Sequence, residues 1–139
     1  MEKFLVMSNM SLEPFSVRQY NSLALAFVGD AVHSMYVRAR LVGTMNIKVN
    51  DLQKITASVV RASSQCDVID KVFDTLEEDE KLLVKRARNT KTNNTPKSAT
   101  AKEYKLSTAF EALVGYWYLT GQNEKMNEIL ELSFEGCIC

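Results

Sequence analysis

Residues 27–40 read FVGDAVHSMYVRAR, and they sit inside a segment, Leu23 to Val37, that is apolar or small except at Asp30, His33 and Ser34. Apolar residues follow one another here without the alternation of a half-exposed strand, so the segment reads as a helix buried on most of its faces. Residues 106–119, LSTAFEALVGYWYL, have the same character, and Glu111 is their only carboxylate. Two helices of this kind imply an all-α core. They also raise a question, because a lone carboxylate among aliphatic and aromatic side chains is costly to bury unless it is paired or bound to a cation.

Helical punctuation continues outward from these two segments. Gly43 follows the run from about Val17 to Val42 and fits a C-terminal cap. Asn50-Asp-Leu-Gln53, Thr75-Leu-Glu-Glu78 and Thr100-Ala-Lys-Glu103 each resemble a capping box, opening helices to about Ala62, Arg88 and Leu119. Between the first two, Val68, Ile69, Val72, Phe73 and Leu76 recur at helical spacing. Thr120-Gly121 closes the helix that begins at Thr100, and a last amphipathic helix spans about Glu124 to Phe134. Residues 89–99, NTKTNNTPKSA, have no large apolar side chain and read as a mobile loop. With no convincing strand pattern and no repeat, the expectation is an all-α bundle of about six or seven helices.

At 139 residues the chain suits one domain. No apolar run approaches the ~18 residues of a membrane span, and the N-terminus MEKFLVMSNM lacks a signal-peptide pattern, so a cytoplasmic protein is expected. Cys66, Cys137 and Cys139 form neither a disulfide framework nor, without a neighbouring histidine, a zinc site. The net charge of zero hides a segregation. Lys81 to Thr108 holds eight bases against one acid, a local +7 that leaves −7 for the remainder, and Asp67 to Glu80 holds seven acids against one base. A basic block flanking a polar loop suits a polyanion, although charge alone fits a solvated helix face equally well.

Taken singly, Asp30 could lie at a helix bend by Gly29, and Glu111 could reach the rim of the bundle. Together they suggest more. Each has a glycine nearby, Gly29 or Gly115, and alanines beside it (Ala24, Ala26 and Ala31; Ala109 and Ala112), and small residues let helix axes approach closely. Crossed there, the helices would bring the two acids face to face. Two such carboxylates repel and raise each other's pKa without a cation, but with Mg²⁺ or Mn²⁺ they become hard oxygen ligands suited to phosphoryl chemistry. His33, the only histidine, lies three residues from Asp30, so it shares that face or simply packs. No Walker loop, dinucleotide fingerprint or nucleophile signature competes.

Leu25-Ala-Phe-Val-Gly-Asp-Ala-Val32, with Tyr36-Val-Arg38, resembles the signature helix of the ribonuclease III catalytic domain. Ser107-Thr-Ala-Phe-Glu-Ala-Leu-Val-Gly-Tyr116 resembles its second acidic helix. Arg86-Ala-Arg-Asn89, the loop to Pro96-Lys97, and Tyr104 are similar to the compact subfamily called Mini-ribonuclease III, over roughly residues 18 to 132. The resemblance implies a single all-α domain, 1–139, with no separate RNA-binding domain. It further implies a homodimer that uses Mg²⁺, or Mn²⁺ in its place, to cut double-stranded RNA into 5′-phosphate and 3′-hydroxyl ends. Precursor large-subunit ribosomal RNA is the implied substrate. Asp30 and Glu111 would be the catalytic metal ligands, and the apolar face around Ala26 and Phe27 is the candidate dimer surface.

RNA contacts are expected from Arg86, Arg88, Asn89, Lys91, Lys97, Tyr104 and Lys105, with Thr108 and His33 behind the metal ligands. Some family patterns are absent. Further acids of the full-length enzymes correspond to Leu23 or Ala26 and to Thr108 here, and His33-Ser34 stands where an aromatic and an acid are usual. Two other readings differ in class. One is a ribonuclease III-like module that holds RNA or a ribosomal particle without cutting, which would have no need of both acids. The other is a helical pyrophosphohydrolase built on Glu77 to Glu80, acids better explained by a helix N-terminus.

Overall fold

The computed structural model describes residues 4–90 and 100–138, and among them every regular element is a helix. Seven α-helices follow in order: α1 Pro14–Arg18, α2 Ser22–Thr44, α3 Val49–Val60, α4 Ala62–Val72, α5 Glu78–Arg88, α6 Ala101–Leu119 and α7 Asn123–Ile138, with a 3₁₀ turn Phe73–Thr75 after α4. Helix α6 is the axis of the molecule. It packs against α2, α4, α5 and α7, and from Leu106 to Trp117 every residue except Glu111 is buried. A helix covered on all sides has no polar face to display, which is why its sequence shows no amphipathic period.

The closest packing is between α2 and α6. A Cβ placed on Gly29 would lie 1.7 Å from the carbonyl oxygen of Glu111, and one on Gly115 would lie 2.0 Å from the carbonyl oxygen of Leu25. Each glycine therefore receives the backbone of the other helix, and any side chain at either position would drive the axes apart. This reciprocal seat fixes the crossing point next to both carboxylates.

Several boundaries depart from the sequence expectation. The run from Val17 is two helices, because Asn21 caps α2 through its side-chain oxygen, which accepts from Leu23 N at 2.8 Å. Gly43 lies inside the last turn of α2, whose cap is Met45. Helix α3 starts before Asn50, with Lys48 as a cap that makes no side-chain bond. The box opening α5 is Glu77 with Glu80, two residues beyond the Thr75–Glu78 pair. The Thr100–Glu103 box is present as expected, with reciprocal bonds of 3.1 and 3.0 Å, and Gly121, at φ +69°, closes α6.

Two polar fixtures hold the periphery. Glu80, buried in α5, accepts from Trp117 Nε1 and Lys125 Nζ, both at 2.9 Å. The Asn127 amide pairs with both backbone groups of Val6, at 2.7 and 2.8 Å, tying the N-terminal segment to α7. No described helix is long and apolar enough to cross a membrane.

Candidate active site

At the crossing the two carboxylates meet. Asp30 is exposed on α2, one residue after the Gly29 seat, and Glu111 is half-buried on α6. Burial and the adjacent Asp30 carboxylate push the Glu111 carboxyl up to about 9, so at neutral pH it keeps its proton and bonds to Asp30. Opposing this, the Gln65 side chain of α4 reaches the Glu111 carboxylate and favours its charged form.

Gln65 begins a buried polar chain. Its Nε2 lies 3.0 Å from His33 Nδ1, and His33 Nε2 lies 2.8 Å from Ser133 Oγ on α7. All three residues are buried: Gln65 is 2% exposed, His33 0% and Ser133 1%. Burial lowers the His33 pKa to about 4 against the opposite pull of Asp30, so the ring is neutral at pH 7. Its face packs on Phe110 with centroids 4.9 Å apart. Helical spacing put His33 near Asp30, but the ring turns inward, behind Glu111 rather than out beside Asp30. Gln65 was not legible as a site residue, because Ala-Ser-Ser-Gln in the first turn of an amphipathic helix looks like an exposed polar corner. Thr108 is buried and its hydroxyl donates to the Tyr104 carbonyl at 3.0 Å.

Of the expected RNA contacts, Arg88, Asn89 and Lys105 are exposed and Tyr104 is half-exposed. They gather at the C-terminus of α5 and the N-terminus of α6, while Lys91, Lys97 and the rest of 91–99 lie outside the described residues. Tyr104, Thr108 and Glu111 are spaced by four and three residues, so they form one stripe of α6, about 10 Å long at 1.5 Å per residue. Arg86 has a structural task. Its Nε donates to Ser22 Oγ at 3.0 Å, its Nη2 to the Tyr20 carbonyl at 2.9 Å and its Nη1 to the Arg18 carbonyl, so the guanidinium braces α5 against the α1–α2 link.

Along α2 the exposed and buried apolar residues separate. Ala26 is core, whereas Phe27 is 81% exposed, with Leu23, Met35 and Val42 also bare. The unpartnered face therefore runs through Phe27 and not through Ala26. Among the described residues, no group of three or more His, Cys, Asp or Glu side chains is placed to hold a metal. Asp30 and Glu111 nevertheless fit one. They are hard oxygen donors from adjacent helices, and their mutual repulsion is relieved by a cation as well as by a proton.

The Ribonuclease III domain family matches residues 23–122, a span that contains both acids. This chain belongs to the ribonuclease III family, in its Mini-ribonuclease 3 branch. A Mini-ribonuclease 3 of Thermoanaerobacter sp. is 44% identical over 86% of this chain and 84% of its own. One from Symbiobacterium thermophilum is 43% identical over 78% of this chain and 84% of its own. A crystal structure of a Fusobacterium nucleatum protein superposes with a TM-score of 0.79 at 34% identity, covering 87% of this chain and 97% of that one. The all-α architecture is thus that of the ribonuclease III catalytic domain, and the Mini-ribonuclease 3 chain is a hydrolase of the endoribonuclease class.

Proposed function

We propose that this ribonuclease III-family hydrolase is a Mg²⁺-dependent endoribonuclease specific for double-stranded RNA, active in the cytoplasm as a homodimer, with a large-subunit ribosomal RNA precursor as its substrate. The observation that carries the reading is the meeting of Asp30 and Glu111 where two helices are seated glycine to backbone. A divalent cation held by these carboxylates would lower the pKa of a water and neutralise charge on the scissile phosphate. The chain's own contribution is position. Glycine seating brings the two helix backbones together beside both acids, and the buried residues of α6 on either side of Glu111 fix where its backbone lies. Water attacks the phosphorus and the 3′ oxygen leaves, giving 5′-phosphate and 3′-hydroxyl ends.

Arg88, Asn89, Tyr104 and Lys105, with Lys91 and Lys97 of the connecting segment, supply the phosphate and 2′-hydroxyl contacts by which duplex RNA is gripped. Arg86 keeps that corner in place. The exposed face of α2, Leu23, Phe27, Met35 and Val42, is the surface for the second copy. Asp30 lies on its border, so pairing sets two sites side by side, one for each RNA strand.

The test is incubation with double-stranded RNA and Mg²⁺, alongside Asp30→Asn and Glu111→Gln, with products resolved on a denaturing gel. Staggered, metal-dependent cleavage by the native protein, lost by at least a hundredfold in both variants, is expected. RNA binding without cleavage, in Mg²⁺ and in Mn²⁺, would replace this reading with that of a non-catalytic RNA- or ribosome-binding module.

A further inference from the structure

A buried glutamine has two N–H donors and one acceptor to satisfy, and Gln65 places its amide between a histidine and a carboxylate. Its Nε2 donates to His33 Nδ1, which obliges the ring to carry its hydrogen on Nε2, where it donates to Ser133 Oγ. The direction of the amide is therefore set from behind, by residues of α2 and α7. The Nε2 hydrogen not given to His33 is the one available to the Glu111 carboxylate, which the Gln65 side chain reaches. A neutral donor suits this place. It can hold one carboxylate oxygen without adding a third charge beside Asp30, and it leaves the other lone pairs for a cation. Sealed in the core, the three residues have little rotamer freedom, so what they hold is held in one orientation.

We propose that Gln65 is a positioning residue for Glu111: it orients the carboxylate for the divalent cation, and His33 and Ser133 aim the Gln65 amide. This rests on the reading of Asp30 and Glu111 as cation ligands and extends it to α4 and α7, neither of which carries a ligand. Partners of this kind behind a metal ligand change affinity by about 10- to 100-fold when removed.

Calorimetric titration of the RNA-free protein with Mn²⁺ tests it. Gln65→Met keeps the length and bulk of the side chain and removes the donor. It is expected to weaken Mn²⁺ binding about tenfold or more, leave duplex-RNA affinity in EDTA unchanged, and recover most of the kcat at high Mn²⁺. Circular dichroism in the same buffer gives the folded fraction, so that affinity is counted per folded molecule. Should Gln65→Met fail to fold, His33→Phe fills the space against Phe110, leaves Gln65 in place but unaimed, and is expected to show the same direction of change. Native Mn²⁺ affinity in the folded variant would overturn the positioning role. Binding in the native protein that Glu111→Gln does not diminish would overturn the cation reading itself, and the positioning role with it.

Discussion

Asp30 and Glu111 stand out because each is alone. A carboxylate in an apolar helix is visible in a sequence without knowing what surrounds it, and its cost is a physical argument for a partner. The structure adds the sign of that cost. With its pKa raised to about 9 by burial and by Asp30, folded Glu111 binds a proton that the unfolded chain releases near pH 4.3. Its contribution to stability is complete below that pH and is lost as pH rises towards 9. In chelator, the native protein should therefore lose thermal stability between about pH 5 and 9. Glu111→Gln should flatten that decline and melt several degrees higher at pH 8, and divalent cation should stabilise the native protein alone, by mass action. Differential scanning calorimetry across that range checks all three. A native melting point independent of pH and metal would count against a cation at this pair.

At the scale of the element, the helices were largely legible and their ends were not. Apolar spacing and the Thr100–Glu103 box placed α6 from its first turn to its last, because those signals are local. The starts of α2, α3 and α5 moved by two to five residues, since a cap is chosen by where the chain is turned by its neighbours. The glycines illustrate the same division. Their nearness to the acids suggested a close crossing, but only the folded chain shows each admitting the other helix's backbone. Gly115→Ala is expected to cost about 3 kcal/mol or more, at the upper end for overpacking a core. It should also separate Asp30 from Glu111. Urea unfolding should reveal the first effect and a weaker Mn²⁺ affinity in the folded fraction the second. Gly43→Ala, where a Cβ meets nothing within 4 Å, is the control and should stabilise slightly.

At the scale of the whole molecule, the exposed face of α2 is the largest consequence of packing. Phe27 at 81% exposure beside Leu23, Met35 and Val42 is apolar surface that a second copy would cover. The native protein is expected to sediment as a dimer and Phe27→Glu as a monomer with its helical circular dichroism retained, while equal sedimentation coefficients for the two would remove this face as a dimer surface. The sequence by itself determined the helical class, the order of the elements, the basic segment before α6 and the two lone acids, because these are written in local spacing and composition. Which residue of an all-apolar helix faces inward was decided only by the tertiary structure, which buries Ala26 and bares Phe27. So were the bracing role of Arg86 and the chain from Glu111 through Gln65 and His33 to Ser133. Those residues lie on four helices far apart in sequence, and no local pattern records a hydrogen bond that exists only once the helices have packed.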